Sequence, residues 1–363
     1  MSDLSALRHD VPLAPCTTLA VGGRARYWLQ ARTLAQLQAA LLRAQEAGWP
    51  LLVLGGGSNL VVADTGFNGL VLQALDDHLQ LTPEAGDRVH VAVGAGVVWD
   101  DLVARTVAAG LPGLACMSGI PGRCGAVVVQ NVGAYGQDVA ASLVGIWAVE
   151  RRTGQLVELP AAALELGYRS SRLQGAWRDR YVIWRLHFSL PRQASLQPNH
   201  AGLEAALGCT EATPAQLRQA VLALRRAKSM LYSPADPNHR SCGSFFVNPH
   251  VASATAAALG ERLGTDLPRY PGRAGQVKLS AAWLIERAGF HRGHVAGRVG
   301  LSSQHALALI NRGGASAYEV VALVRTLQLA VHALAGVTLW PEPVCVGFGC
   351  GWAGLLPLPQ VAS

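Results

Sequence analysis

Lysine is almost missing from this chain. Of 363 residues only Lys228 and Lys278 are lysines, so nearly all of its 30 basic side chains are arginines. Charge of either sign is sparse, at 15%, and no block of like charge forms despite a net charge of +7. That pattern argues against a nucleic-acid tail. Arginine favours two-pronged capture of phosphate and carboxylate, so scattered arginines point to an anionic small molecule. Long apolar runs are missing too. No stretch of about 18 residues escapes charges or turn residues, so no transmembrane helix is expected. The opening MSDLSALRHDVPLAPC has no basic region followed by an apolar core, so no secretory signal is expected and the chain reads as cytoplasmic. The 7 cysteines include no CxxC pair, and no Cys/His spacing fits zinc. Reduced, mostly buried thiols and no metal site are the expectation.

What is present is apolar material and glycine: 50% hydrophobic residues and 40 glycines, enough for two or three domains with their own cores. Thr33 and Gln36 form a capping-box pattern, predicting a helix to about Ala47 with Gly48 ending it. Thr213 and Gln216 repeat the pattern with Pro214 at the first helical position, and that helix ends on Arg225, Arg226 and Lys228. A helix is expected from Asp100 to Ala109, and residues 193–212 read as a linker or surface loop. Beyond residue 250 helices dominate the pattern, and TLWPEPVCVGFG reads as a strand. The whole is of α+β class with more than one sheet.

Two glycine-rich loops carry the first chemical signal. VLGGGSNL places Gly55, Gly56 and Gly57 after an apolar strand, where backbone amides can turn toward a phosphate. It is neither a G-x-G-x-x-G fingerprint, since Leu60 stands where a glycine would be needed, nor a Walker loop. SGIPGRCGAVVVQNVGAYG adds five glycines and a Gln-Asn pair. Two such loops in successive α/β segments make a dinucleotide such as FAD a candidate ligand. A third motif, SCGSFFVNP, sets Ser244 between Gly243 and two phenylalanines. It is either a strand edge closed by an Asn-Pro turn or the position of a proton donor.

VLGGGSN, PGLACMSGIPGRCGAVVVQNVGAYG, GYRSS, CGSFFVNP, VKLSAAWLIERAG, HALALIN and WPEP together resemble, in that order and over roughly residues 15–348, the UDP-N-acetylenolpyruvoylglucosamine reductase family, the MurB-type enzymes of peptidoglycan precursor synthesis. The resemblance implies a two-subdomain FAD-binding α/β unit of the vanillyl-alcohol-oxidase type and a separate α+β substrate-binding domain. It divides the chain into 1–77, 78–229 and 230–345, with 346–363 packing back on the first segment. It implies FAD held without a covalent bond, because the first loop contains no histidine, and NADPH as electron donor. The implied reaction reduces the enolpyruvyl ether of a UDP-sugar to a lactyl ether, in a monomer that needs neither nucleic acid nor membrane.

The resemblance also assigns residues. Gly55, Gly56, Gly57, Ser58, Asn59, Leu60, Ile120, Pro121, Gly122, Gly125, Ala126, Asn131 and Gly133 are expected around FAD. Tyr135, Arg225, Lys228, Asn248, Tyr270 and His305 are expected around the UDP-sugar. Hydride addition to the outer enol carbon builds an enolate, which needs a stabilising cation and a proton source. Arg169 is expected to hold the substrate carboxylate, Ser244 to deliver the proton, and Glu342 to assist. Three positions depart from the family pattern. Val247 stands where a lysine is common, His305 stands where some members have glutamine, and LQPNHAGLEAAL lacks the tyrosine of one subclass's lid, leaving His200 as the nearest ring. A flavin oxidase or dehydrogenase acting on a small alcohol or hydroxy acid, and a non-enzymatic nucleotide-binding protein, are the alternative readings.

Overall fold

The computed structural model describes residues 5–193, 195–272 and 275–356. The expectation for the C-terminal segment lies outside the described residues from position 357 onward. The chain divides into two compact units. One comprises the residues up to Val11, Ala25–Gly57 and Asn68–Tyr232; the other comprises Pro12–Arg24, Ser58–Phe67 and the residues from Ser233 onward.

The first unit holds a four-stranded sheet, a five-stranded sheet and a small two-stranded one at Gly133–Ala134 and Gln137–Asp138. Strands Arg8–Pro12, Arg24–Ala31, Phe67–Ala74 and Leu51–Val53 lie side by side in that order, and the last two are parallel. The helix Leu34–Glu46 starts at a complete capping box, with the Thr33 side chain accepting from the Gln36 amide. A five-stranded sheet follows in the order Leu156–Pro160, Leu143–Glu150, Tyr181–Pro191, Arg88–Gly94, Leu79–Glu84, with antiparallel neighbours throughout. Its alternating strand Tyr181–Pro191 sends Val182, Trp184, Leu186 and Phe188 into a core shared with Trp99, Leu102 and Leu114. The helices Trp99–Ala108 and Pro214–Ala227 flank the second glycine loop.

Residues 193–212 differ from the linker expected. They contain the helix Ala201–Leu207, which buries Leu203 against Leu217 and Val221. The helix is only seven residues long, too short for its apolar spacing to stand out from the polar residues around it.

In the second unit, strands Ser241–Ser244, Ala308–Asn311, Val299–Leu301 and Val295–Ala296 form one sheet, and His250–Ala252, Gln276–Leu279 and Arg269–Pro271 another. Strand Val344–Val346 pairs in parallel with Leu60–Val62; only these three residues of TLWPEPVCVGFG are strand. The helices Ser253–Leu263, Ala281–Arg287 and Ala317–Ala335 match the apolar spacing of the sequence. Among the described residues Ala317–Ala335 is the one helix long and apolar enough to cross a membrane. Its Val320, Leu323, Val324, Leu327 and Val331 lie in this unit's core. Asn311, 3% exposed, ties the unit together: its side-chain amide donates to the Leu19 and Ala20 carbonyls and accepts from the Gly313 and Ala315 amides.

Candidate active site

The first unit brings the two glycine loops into contact. A Cβ on Gly56 would stand 2.6 Å from the Gly122 Cα, and one on Gly55 would stand 3.0 Å from the Ala126 side chain. Neither loop is left to itself. The Gly55 carbonyl accepts from Gln73, which accepts in turn from Gln30, at 3.0 and 2.9 Å. The Gly122 carbonyl accepts from the Trp99 amide at 3.0 Å, and the Arg123 guanidinium donates to the Gly96 carbonyl. The amides of Gly55, Gly56, Gly57, Ile120 and Gly122, by contrast, donate no hydrogen bond among the described residues. Open amides on two backbones that approach this closely, with few side chains in the way, fit the diphosphate of a dinucleotide. The amides of Gly125 and Ala126 are already used, donating to the Ala95 and Arg123 carbonyls, and Gly125 is packed against Ala95. These two shape the loop by being small.

Arg169 stands at the tip of a tight turn. Gly167 and Ser170 exchange both backbone hydrogen bonds, at 3.0 and 3.2 Å, and Arg169 between them has φ +50. A left-handed non-glycine residue costs roughly 1–2 kcal/mol, so the surroundings must enforce it. They do: Asn131 donates to the Gly167 carbonyl at 3.1 Å, Ser171 to the Val129 carbonyl at 2.6 Å, and Arg169 itself to the Gly133 carbonyl at 3.0 Å. GYRSS and QNVGAYG, distant in sequence, form one braced cluster. Asn131 and Tyr135 also have positive φ, 42 and 49. Such strain gathers where geometry is functionally fixed. The Asn131 side chain is committed to Asp138, Gly167 and Ala140, so it braces this cluster from within.

The helix Pro214–Ala227 ends beside that cluster. Arg225 is only 9% exposed; it donates to the Met230 carbonyl at 2.7 Å, and its Nε has no protein partner. Burial lowers its pKa, opposed by Tyr135 and Asp100 nearby; burial raises that of Tyr135, opposed by Arg225. The ring of Tyr135 meets His200 edge-on at 5.1 Å. Lys228 caps the helix end and is exposed. A buried arginine with a spare donor and an exposed lysine one turn on suit an anionic ligand. Sequence reasoning passed over Asp100, which accepts from Gly119 and from Arg218, because its partner lies 118 residues away and leaves no local signal.

The second unit assembles Ser244 and Glu342. Ser244 pairs with Ala308 and Ser241 with Ile310, with an irregular step between at Gly243, whose φ is +72. That conformation suits glycine and re-aims the strand. The Phe245 amide donates to the Leu307 carbonyl and its carbonyl accepts from the Glu342 amide, both at 2.8 Å; Val247 donates to the Trp340 carbonyl at 3.0 Å. Ser244 and Glu342 are thus one residue apart across paired backbones, and Phe245 and Phe246, 0% and 1% exposed, belong to this unit's core. His305 lies in the turn leading to Ala308, whose amide donates to the His305 carbonyl.

Asn59 and Leu60 support the same framework. The Asn59 carbonyl accepts from Val344 at 2.9 Å, its side chain reaches the Glu342 carbonyl at 3.5 Å, and the Leu60 carbonyl accepts the Cys242 S–H. Burial pushes the Cys242 thiol up to about 12, keeping that donor protonated. Asn248 accepts from the Ala281 amide at 2.9 Å through its Oδ1, and its NH2 is a second polar group on the same side chain. Lys278, the chain's other lysine, pairs in register with His250 on one side and Tyr270 on the other.

A mixed fold with paired glycine loops of open amides, and a unit carrying a serine and a glutamate on joined backbones, fits an FAD-binding oxidoreductase. Residues 25–160 match the family described as "FAD binding domain". Residues 236–346 match "UDP-N-acetylenolpyruvoylglucosamine reductase, C-terminal domain". The chain is 44% identical over 353 residues to UDP-N-acetylenolpyruvoylglucosamine reductase of Thermobifida fusca, covering 94% of this chain and 99% of that one. It is 43% identical to the reductase of the same name from Streptomyces coelicolor, covering 93% and 90%. Among solved structures it resembles the reductase from Thermus caldophilus, with TM-score 0.65, 26% identity and coverage of 94% and 99%. The chain belongs to the UDP-N-acetylenolpyruvoylglucosamine reductase family.

Proposed function

We propose that the chain reduces the enolpyruvyl ether of UDP-N-acetylglucosamine enolpyruvate to the lactyl ether of UDP-N-acetylmuramate in peptidoglycan precursor synthesis, with NADPH as reductant. FAD, when bound, supplies the relay of two electrons from NADPH to the enol double bond. The residues that would hold it are those of the two glycine loops, through open amides at Gly55, Gly56, Gly57, Ile120 and Gly122. The observation that supports the reading is the backbone pairing of Phe245 with Glu342, which sets Glu342 opposite the neighbour of Ser244.

Reduction places negative charge on the carbon bearing the carboxylate. The Arg169 guanidinium holds that carboxylate and spreads the developing charge. Ser244 gives its hydroxyl proton to the carbon. Serine is a weak acid, so the transfer requires a strongly basic carbon acceptor and the exclusion of water, which Phe245 and Phe246 favour. Glu342 assists from the adjoining backbone. Arg225, Lys228, Asn248 and Tyr270 hold the anionic nucleotide, with Tyr135 and His305 beside it. The functional division follows 1–77 and 78–229 for the cofactor and 230–345 for the substrate, in a cytoplasmic monomer acting without nucleic acid or membrane.

The test is turnover of NADPH by the purified yellow protein with UDP-N-acetylglucosamine enolpyruvate. Consumption of one NADPH per substrate, with a product heavier by two hydrogens, is expected. NADPH oxidation that ignores this substrate, or turnover of small hydroxy acids in its place, contradicts the proposal.

A further inference from the structure

Asp100, the second residue of the helix Trp99–Ala108, is held by three hydrogen bonds. Its Oδ1 accepts from the Gly119 amide at 2.6 Å and from Arg218 at 2.6 Å; its Oδ2 accepts a second Arg218 bond at 2.8 Å. Gly119 opens the Gly119–Gly122 loop, whose next amides are among the open donors described above. Arg218 belongs to the helix Pro214–Ala227, whose far end carries Arg225 and Lys228. Gly119 also rests on that region: a Cβ there would stand 2.4 Å from Leu231, 2.9 Å from Leu222 and 3.4 Å from the Arg225 Nε. One carboxylate therefore joins the start of the diphosphate loop to the basic helix. Burial pulls its pKa up, but the bonds from Arg218 and Gly119 outweigh this, and the carboxyl titrates below its ordinary range.

We propose that Asp100, clamped by Arg218, is a positioning residue that holds the Gly119–Gly122 loop in its cofactor-binding shape and fixes the basic end of the Pro214–Ala227 helix relative to it. This rests on the FAD reading above. Asp100 acts through Gly119 and Arg218. Two-pronged bonds from an arginine to a carboxylate fix orientation as well as distance. Loss of the carboxylate frees the Gly119 amide and leaves Arg218 without its charge partner, so the loop must be ordered anew by the ligand, at the expense of affinity.

The experiment is a titration of flavin-free protein with FAD, followed by fluorescence quenching, for wild type, Asp100→Ala, Asp100→Asn, Arg218→Ala and the Asp100→Ala/Arg218→Ala double variant. Asp100→Ala is expected to weaken FAD by about tenfold or more, which is about 1.4 kcal/mol per decade. Asp100→Asn, which can still accept from Gly119, falls between it and wild type. The double variant loses little more than Asp100→Ala alone, because the two residues act as a unit. At saturating FAD the KM for the UDP-sugar rises while kcat holds, a split that general destabilisation does not produce. FAD affinity within about twofold of wild type in Asp100→Ala, or additive losses in the double variant, overturns the proposal. Should Asp100→Ala fail to fold, wild-type affinity in Asp100→Asn overturns it equally. Failure of wild-type protein to bind FAD would instead overturn the functional reading itself.

Discussion

Gly56→Ala tests the cofactor cradle at its tightest point. The added methyl would meet the Gly122 Cα at 2.6 Å and its carbonyl carbon at 3.2 Å. Both are backbone atoms, so no side chain can swing aside. Ordinary contact begins at 3.4 Å, so the loops must part by about 0.8 Å. Overpacking of this kind costs typically 1–3 kcal/mol. Spent on loop separation, that is a loss of about fivefold to 150-fold in FAD affinity. The assay is the ratio of flavin to protein after gel filtration, with titration of FAD into the flavin-free protein. Gly351→Ala, where a Cβ meets nothing within 4 Å, is the control and should keep wild-type affinity. If Gly56→Ala binds FAD as tightly as wild type, the two loops are not the cradle and the reasoning fails.

Other expectations follow from the same geometry. Asn311→Ala removes four hydrogen bonds at a site 3% exposed and should lower unfolding free energy by about 3 kcal/mol in urea; a change under about 1 kcal/mol would mean the site relaxes freely. Burial lowers the pKa of His187, with His90 and Arg185 adding repulsion; His78 also repels and Glu158 attracts. The unfolded chain then binds the proton first, so stability is lost as pH falls below the ordinary value of 6.5. His187→Gln should flatten that part of the stability-against-pH curve, and an unchanged slope would show that other groups set it.

Much of the local structure was legible because it depends on neighbours. The capping boxes at Thr33 and Thr213 formed as read, and Gly48 ends the first helix region at φ +64. The helix expected from Asp100 begins at Trp99. Beyond residue 250 the strand in TLWPEPVCVGFG was legible and forms at Val344–Val346, but the earlier ones were not. Those strands are two to four residues long, too short to show alternation, and they are defined by pairing rather than by their own pattern, with partners as near as Ala296 and Val299 and as far as His250 and Lys278. The same limit applies to the site. GYRSS and QNVGAYG could be quoted as motifs, but that Arg169 is braced in a left-handed turn by Asn131 and Gly133 depends on contacts 36 residues apart. Asp100 entered the sequence reading only as the start of a helix, and nothing adjacent to it announced Arg218.

The central chemical claim is that Ser244 delivers the proton. Anaerobic rapid-mixing of Ser244→Ala separates the two halves of the reaction by following flavin absorbance. Flavin reduction by NADPH should proceed at close to the wild-type rate, while reoxidation by UDP-N-acetylglucosamine enolpyruvate should slow by about 100-fold or more. Equal slowing of both halves would make Ser244 a structural residue of its strand, and wild-type rates in both would place the proton donor elsewhere.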